Sequence, residues 1–348
     1  MNNFHDNQIR SAQIIVPCAD LNEMLDLFVE QLKFRVEMIF PADSPTVAVV
    51  SGYGVYLRFE QSNEILPTNL LLRLFCDSIK TYREIIAPNG MRIEFVEAET
   101  PLEIPIGTQE FVVSRMNENA WNVGRANMEY RDLIPSRLGG RFIASHIRIP
   151  VGGEVPDYVH FHKVRFQLIF CKKGWAKLVY EDQGEPFILN EGDCVLQPPE
   201  IRHRVLESSD GLEVIEIGCP AIHETFADHN LQLPTPQFLP EHDFGGQTFV
   251  RHIAKDAIRE VDNDGFEFRD TGIFKATNGL ANVRVLRSTS NITINRKHSG
   301  EFLFCFILEG ELKIGEDLLK IGDSCVIPAG EEFIFNANIG LEMLEIGL

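Results

Sequence analysis

Short runs of apolar residues, separated by Gly, Pro and Asp, dominate the chain from about residue 140 to its end. Segments such as FQLIFCKKG at 166–174 and LEVIEIG at 212–218 are rich in Val, Ile and Phe. Runs of this length between turn residues are typical of β-strands. Many such strands without intervening helical patterns favour an all-β barrel or jelly roll over a parallel α/β sheet.

The same strand pattern occurs twice, about 130 residues apart. LEVIEIG at 212–218 returns as LEMLEIG at 341–347, and GDCVLQP at 192–198 returns as GDSCVIP at 322–328. Self-similarity at one spacing indicates a tandem duplication of one barrel. The stretch 220–247, which contains LPTPQFLP, is predicted to be the linker between the two copies.

The first hundred residues have a different pattern. SAQIIVPCADLNEMLDLFVEQLKFRVEMIF predicts strand, helix and strand, with Asp20 as the helix cap and Leu21 and Met24 at helical spacing. VAVVSGYGVYLRFEQ predicts a hairpin whose turn is flanked by Gly52 and Gly54. A shorter second round predicts a strand over LLLRLFC, a helix over DSIKTYREI and a strand in PNGMRIEFVEA. These elements predict an α+β module of βαβββ type.

The predicted fold is therefore mainly β, with two tandem jelly-roll barrels preceded by the α+β module. The expected domains are residues 1–112 for the module, 113–225 for the first barrel and 226–348 for the second.

Charge and composition narrow the expected partners and location. A net charge of −19, from 51 acidic and 32 basic residues, disfavours DNA, RNA and anionic membranes as partners. No apolar run approaches the roughly 18 residues that span a bilayer, and the start MNNFHDNQIR lacks the pattern of a secretory signal. The seven cysteines form no close CxxC pair, so reduced and mostly buried thiols are expected. We expect a cytoplasmic protein.

Two histidines two residues apart mark the first candidate site. His160 and His162 lie in YVHFHKVRFQLIF, and side chains two apart on a strand face the same side. Gln167 follows on the expected adjoining strand, and His203 comes after the turn QPPEIRH, which can return it to the same interior. Imidazole suits Fe, Zn, Cu, Ni and Mn, and three imidazoles leave coordination positions open for substrate or water. The pattern predicts one divalent transition metal.

This segment resembles the first motif of the cupin superfamily, in which a glycine precedes His-x-His and an acid and a second glycine follow. The chain has Gly153, His160, His162, Gln167 and Gly174 in that order, and the spacings after His160 match. The family usually has a glutamate ligand at the position of Gln167. Glutamine keeps a carbonyl oxygen donor without the charge, so Gln167 is predicted either to bind the metal or to hydrogen-bond a metal-bound water.

The second cupin motif follows about 30 residues later. Gly192, Pro198 and His203 occupy its positions, while Glu200 and Glu207 replace the usual glycine and asparagine. Together the two motifs imply a cupin barrel over the first copy, and the duplication then implies a bicupin.

The resemblance also implies a function. Three neutral histidines leave the full charge of the metal at the site, which is similar to the iron sites of cupin thiol and diketone dioxygenases. It implies a dioxygenase that uses Fe(II), with Zn, Mn, Ni or Cu as alternative metals, and that acts on a small, anionic organic substrate. Tyr158 and Arg165 are candidates for orienting that substrate. Because cupins often dimerise, a homodimer is the expected assembly.

Two other functions stay open from the sequence. A metal-assisted isomerase or decarboxylase would need an acid–base group beside the metal, for which Tyr158 and Glu200 are the candidates. A bicupin that binds a small molecule without catalysis is the third, because fold does not fix function.

The second copy has lost most of the metal ligands. Alignment places Arg296, His298, Leu303 and Phe333 at the four ligand positions of the first copy, in that order. One imidazole holds a metal poorly, so this barrel is expected to be metal-free and structural. Binding of an anionic ligand by Arg296 and His298 is the alternative.

The N-terminal module resembles the vicinal oxygen chelate superfamily of glyoxalases and bleomycin-resistance proteins. The resemblance lies in IIVPCADLNEMLDLFVEQLKFRV and APNGMRIEFVE, within residues 10–98. The three metal positions of that family correspond to Gln13, Leu70 and Glu94, of which only Glu94 matches. Docking, dimerisation or ligand binding is therefore expected here rather than metal chemistry.

Overall fold

The structure, a computed structural model, describes residues 9–62, 69–118, 120–124 and 128–348. The first eight residues, on which the expectation of no secretory signal depends in part, lie outside this range. The chain divides into two compact units, Met1–Pro101 and Leu102–Leu348. Among the described residues, no helix has the length and apolar character needed to cross a membrane.

The first unit contains a four-stranded and a three-stranded sheet. Its described elements are β1 (Ile14–Cys18), α1 (Leu21–Leu25), a π-helical turn (Asp26–Gln31), β2 (Arg35–Phe40), β3 (Val47–Gly52), β4 (Val55–Gln61), β5 (Leu71–Cys76), β6 (Glu84–Ile86) and β7 (Arg92–Glu97). The first sheet has the order β1-β4-β3-β2, with β1 parallel to β4. The predicted βαβββ order is therefore present in β1 to β4.

Local signals set the helix and the hairpin of this unit as predicted. Asp20 Oδ1 accepts hydrogen bonds from the backbone N–H groups of Asn22 at 2.8 Å and Glu23 at 3.2 Å, so it caps α1. Between β3 and β4, Tyr53 and Gly54 both have positive φ, at 51° and 82°. Such a pair is the geometry of a tight hairpin turn, and the glycine adopts it without strain.

The predicted helix over DSIKTYREI, residues 77–85, is wrong. The segment runs irregularly into β6, which pairs antiparallel with β7 and places Ile85 opposite Ile93. Tyr82 is 67% exposed, so the segment has no continuous apolar face to bury as a helix. A nine-residue helix is marginal in water without such a face, and pairing with β7 satisfies the backbone instead.

The first barrel consists of two packed sheets. Its strands and the one that precedes them are β8 (Val112–Ser114), β9 (Asn122–Val123), β10 (Glu129–Asp132), β11 (Ile143–Ile149), β12 (Gly153–Glu154), β13 (His160–His162), β14 (Phe166–Lys173), β15 (Trp175–Tyr180), β16 (Phe187–Asn190), β17 (Cys194–Leu196), β18 (His203–Ser208), β19 (Leu212–Cys219) and β20 (Thr225–Ala227). With β21 (Val250–His252), the larger sheet has the order β21-β17-β14-β19-β11-β10-β9. The smaller has the order β16-β15-β18-β13-β20, with β12 beside β18.

The second barrel repeats this design. Its elements are a 3-10 turn (Ala254–Asp256), β22 (Arg259–Val261), β23 (Glu267–Asp270), α2 (Ile273–Ala276), β24 (Asn282–Arg287), β25 (Ile292–Arg296), β26 (Leu303–Glu309), β27 (Glu311–Ile314), β28 (Asp317–Lys320), β29 (Ser324–Val326), β30 (Phe333–Ala337) and β31 (Glu342–Gly347). The larger sheet has the order β22-β23-β24-β31-β26-β29-β8, and the smaller has β25-β30-β27-β28. The predicted fold class, mainly β with tandem barrels after an α+β module, is confirmed.

The two barrels exchange strands. β8, which precedes the first barrel in sequence, pairs with β29 of the second barrel. β21, which follows the predicted linker, pairs with β17 of the first. The linker itself contributes β20, which pairs with β13. The domain limits at 112/113 and 225/226 stay a prediction, but these pairings show why both barrels belong to one unit.

Aromatic rings and an ion pair join the barrels. Phe142 and Phe302 stack with their ring centroids 4.3 Å apart inside an apolar cluster drawn from both larger sheets. At its rim, Glu301 of the second barrel accepts hydrogen bonds from Arg165 at 2.8 Å and Arg141 at 2.5 Å. Hydrogen bonds from Arg165 and Arg141 lower the pKa of Glu301 to about 2.

A buried polar network also crosses between the barrels. Arg131, which is 0% exposed, donates to the Gly322 carbonyl at 2.6 Å and to His146 Nδ1 at 3.1 Å. Because His146 Nδ1 accepts, its Nε2 carries the proton and donates to Glu213 at 2.9 Å, and Lys172 also donates to Glu213, at 2.6 Å. Burial lowers the pKa of His146. The hydrogen bond from His146, with Lys172, lowers the pKa of Glu213 to about 2.

We expect this network to make folding stability depend on pH. His146 and Glu213 both bind protons more readily in the unfolded chain, so stability present at neutral pH is lost as pH falls. The loss of stability starts near pH 6.5, the ordinary histidine pKa. The contribution of Glu213 is lost between pH 4.5 and about pH 2. The unfolding temperature of the full chain is measured in the presence of a chelator from pH 7 downward. Below pH 4.5, the unfolding temperature of Glu213→Gln should fall less steeply with pH than that of wild type. Identical declines for this variant and for the exposed-site control Glu309→Gln would contradict the assignment.

Candidate metal centre

Strand pairing brings the three predicted histidines to one interior face. His160 and His162 are the two inward residues of β13, and their exposed fractions are 1% and 9%. β13 pairs antiparallel with β18, where His160 lies directly opposite His203, which is 6% exposed. Phe161, between the two histidines, turns away and stacks on Phe226. The alternation of side chains along β13 is what places two imidazoles on one face.

The three imidazoles lie close enough together to bind one ion. Their ligand atoms all lie within 4.8 Å of one another, and His160 and His203 have ring centroids 4.3 Å apart. Two nitrogens bound to one ion at about 2.1 Å are at most about 4.2 Å apart. Small ring rotations therefore bring all three nitrogens onto one ion. Within the described part of the chain, this is the one His, Cys, Asp or Glu group of its kind.

The protein fixes the orientation of each ring through its Nδ1 atom. His160 Nδ1 donates to the Tyr158 carbonyl at 2.8 Å, and His203 Nδ1 donates to the Ile201 carbonyl at 3.0 Å. A carbonyl only accepts, so these bonds require the tautomer that has its lone pair on Nε2. His162 Nδ1 pairs with the Thr225 hydroxyl of β20 at 3.1 Å. Hydrogen bonds of this kind hold metal-binding histidines in place, so the arrangement fits a transition metal bound through Nε2.

The histidines open into a cavity of about 110 Å³ inside the first barrel. Its wall is mostly apolar, with a few further polar side chains. The apolar wall consists of Met128, Ile147, Ile149, Ile169, Ala176, Leu178, Leu189, Val205, Leu212 and Val214. The remaining lining residues are Tyr130, Gln167, Tyr180, Gln197 and Glu216. A small, largely apolar molecule fits such a space.

Gln167 lines the cavity and is 2% exposed, and its role at the metal stays a prediction. Its Nε2 donates to Glu216 Oε1 at 2.6 Å. Gln197, whose backbone N–H donates to the Gln167 carbonyl at 2.9 Å, donates through Nε2 to the Tyr180 hydroxyl at 3.1 Å, and the Tyr180 ring stacks on His203. Burial raises the pKa of Tyr180, so this phenol stays protonated.

The sequence interpretation missed Glu216, Tyr180, Gln197 and Thr225. A usable signal existed for Glu216, because Leu212, Val214 and Glu216 alternate along β19 and all line the cavity. The other three depend on strand pairings that no local pattern specifies.

Three predicted substrate-binding residues do not line the cavity. The Tyr158 side chain is 41% exposed, and it is the Tyr158 carbonyl that holds His160. Arg165 turns to the second barrel, where its charge pairs with Glu301. Glu200 is exposed and occupies a turn with φ of 61°. These side chains lie at turns between strands, outside the inward alternation that builds the cavity wall. The Tyr158 ring still lies 5.9 Å from the His160 ring, centroid to centroid, and the roles of the three residues stay predictions.

The second barrel uses the same positions for an ion pair. Arg296, at the position of His160, makes a salt bridge with Glu345, the counterpart of Glu216. His298 Nε2 donates to the Ile327 carbonyl at 2.8 Å. Leu303 is buried in the apolar cluster between the sheets, and Phe333 packs against it. Glu345 thus occupies the Arg296 guanidinium, and the alternative anion site of Arg296 and His298 stays a prediction.

Glu94 of the N-terminal module, the one match to the metal positions of the resembled superfamily, pairs with an arginine. Its carboxylate accepts from Arg73 at 2.8 Å across the β5–β7 pair. An ion pair on a sheet surface, with Glu94 32% exposed, is a structural contact.

Comparisons with known proteins agree with the barrel fold. The cupin domain family model matches residues 145–218, which include all three histidines. The salicylate 1,2-dioxygenase of Pseudaminobacter salicylatoxidans is similar in structure, with 14% identity, a TM-score of 0.52, and 70% of this chain and 86% of that chain covered. A proposed dioxygenase of Nostoc punctiforme is similar at 13% identity and TM-score 0.52, covering 69% and 82%. Comparison with curated protein sequences gave no match. At these identities the similarities show a cupin fold.

Proposed function

We propose that the first barrel binds one divalent transition metal and uses it to oxidise a small organic substrate with O2. The observation that carries this proposal is the convergence of three buried imidazoles whose Nδ1 atoms are held by the protein. The fold similarity to two proteins described as an established and a proposed dioxygenase supports the reaction class. Fold similarity by itself does not fix chemistry, so the reaction needs its own test.

The proposed metal is Fe(II), with Zn, Mn, Ni and Cu as alternatives. When bound, it would supply a Lewis acid with open coordination positions and, as iron, redox chemistry with O2. The chain supplies the rest. His160, His162 and His203 hold the ion, and Gln167 either completes the ligand set or hydrogen-bonds a water there. The apolar wall, including Ile147, keeps water from the substrate.

A decisive experiment measures O2 uptake by the Fe(II)-loaded protein. Protein purified without oxygen is loaded with Fe(II) and supplied with catechols, diketones, thiols and hydroxy acids in turn. We expect O2 consumption with at least one of these compounds, at least about 100-fold faster than in an identically loaded His203→Ala variant. Full metal loading with no O2 uptake across the panel would contradict oxygenase chemistry.

A second candidate function has a specific observation in its favour. Metal-assisted isomerisation or decarboxylation needs an acid–base group near the metal. Glu216 lines the cavity and contacts Gln167, so it offers such a group in the cavity wall, which Tyr158 and Glu200 do not line. Product analysis of the same panel under argon separates the two candidates, because only the non-oxidative reaction proceeds without O2.

A further inference from the structure

Glu216 places a carboxylate in the wall of the cavity, beside the candidate ligand set. It lies on β19, on the same face as Leu212 and Val214, and its Oε1 accepts from Gln167 Nε2 at 2.6 Å. The resemblance to the cupin motif predicts a glutamate at the position of Gln167. In this chain the carboxylate lies instead on the neighbouring strand, at Glu216.

The Gln167–Glu216 bond fixes the orientation of the amide. A carboxylate only accepts hydrogen bonds, so the amide NH2 group must face Glu216. The amide oxygen, on the other side of the same planar group, is then directed away from Glu216. The pair therefore separates two tasks: Gln167 offers a neutral oxygen, and Glu216 supplies the charge without binding the metal itself.

This arrangement changes the charge that a ligand meets. Three neutral imidazoles and a neutral amide leave the whole +2 of a divalent ion in place. Two carboxylates offset it: Glu216 in the cavity wall, and the buried Asp157, whose Oδ1 lies 3.6 Å from His160 Nδ1. A ligand therefore meets at most a small positive charge, which a single negative charge at the metal matches. A second negative charge on the ligand, away from the metal, would lie against the apolar wall and near Glu216. Loss of hydration and repulsion by Glu216 would both disfavour it, because charges interact far more strongly there than in water.

We infer that the cavity selects a compact ligand with at most one negative charge, carried by the atoms that bind the metal, and with an uncharged, apolar remainder. This inference rests on the proposed metal site and narrows the expectation of an anionic substrate to monoanions and to neutral compounds that lose one proton on binding. Dicarboxylates and substrates with a remote carboxylate are outside the class.

Two hydroxamates test this inference on the full chain loaded with Co(II), whose visible spectrum reports ligand binding. Butanohydroxamate and succinate monohydroxamate share the chelating group and chain length, but the second ends in a carboxylate instead of a methyl group. We expect wild-type protein to bind butanohydroxamate at least about tenfold more tightly. Glu216→Gln should reduce that ratio about tenfold, while the exposed-site control Glu207→Gln should leave it unchanged.

The outcomes separate this inference from the proposed function. A wild-type protein that takes up no Co(II) overturns both. Uptake of one equivalent with equal affinity for the two hydroxamates overturns the inference alone, and this measurement needs no variant. An unchanged ratio in a folded, metal-loaded Glu216→Gln protein overturns the role of Glu216. A ratio that falls in Glu216→Gln but not in Glu207→Gln supports the inference.

Discussion

Replacing His203 by alanine is expected to reduce bound metal from about one equivalent per chain to a trace. His203 supplies one of three ring nitrogens, and its ring also lies against those of His160 and His162. Loss of a group that merely orients a metal ligand typically costs 10–100-fold in affinity. Loss of a ligand itself should therefore cost at least about 100-fold.

The measurement is elemental analysis of protein purified without oxygen, with thermal unfolding as a second readout. Metal bound only by the folded state raises the unfolding temperature, so added Co(II) or Fe(II) should stabilise wild type but not His203→Ala. The matched control is His229→Ala, because His229 is exposed, on the far side of the Tyr158 ring. Equal metal content in wild type and His203→Ala would refute the site, and a loss in His229→Ala would show that the effect is not specific.

His160 and His162 could be predicted because strand alternation alone gives them one face. The helix cap at Asp20 and the hairpin at Gly54 follow from equally local signals, which need no knowledge of distant parts of the chain. His203 is different, because its place opposite His160 depends on the pairing of β13 with β18. It could be predicted only through the resemblance to the second cupin motif.

The sequence could not predict the contacts of residues whose partners lie far away along the chain. Arg165 looked available for substrate, but its partner Glu301 lies in the other barrel, 136 positions later in the chain. The exchanged strands β8 and β21 likewise join the sheet of the opposite copy. Sequence periodicity predicts which way a side chain points on its own strand, but not which strand lies beside it.

The two barrels have different side chains at equivalent positions. Glu216 and Glu345 occupy the same position of the repeat LE-x-x-E-I-G, and His160 corresponds to Arg296. In the second barrel Glu345 accepts from Arg284 Nη2 at 2.6 Å and also contacts Arg296. Each barrel thus keeps a carboxylate opposite a position for positive charge. In the second barrel the guanidinium groups of Arg284 and Arg296 supply that charge.

Removing the Glu345 carboxylate is therefore expected to destabilise the second barrel strongly. The side chains of Glu345, Arg296 and Arg284 are only 5%, 12% and 20% exposed. Glu345→Ala would leave the Arg296 guanidinium largely buried without its counter-charge, and Arg284 with only Asp262, 4.0 Å away. Breaking a buried ion pair in this way costs about 3–5 kcal/mol, several times the effect of an ordinary surface substitution.

Urea unfolding of the chelated protein measures this cost, with Glu309→Ala as an exposed control. A triple variant tests the cause: Arg284→Met, Glu345→Leu and Arg296→Met together remove all three charges and keep similar volumes. Replacing a whole buried ionic cluster by apolar residues is often neutral or stabilising, so the triple variant should unfold near the wild-type urea concentration. A triple variant as unstable as Glu345→Ala would mean that lost packing, rather than uncompensated charge, explains the effect. A loss below about 1 kcal/mol in Glu345→Ala would show that solvent already screens the two arginines.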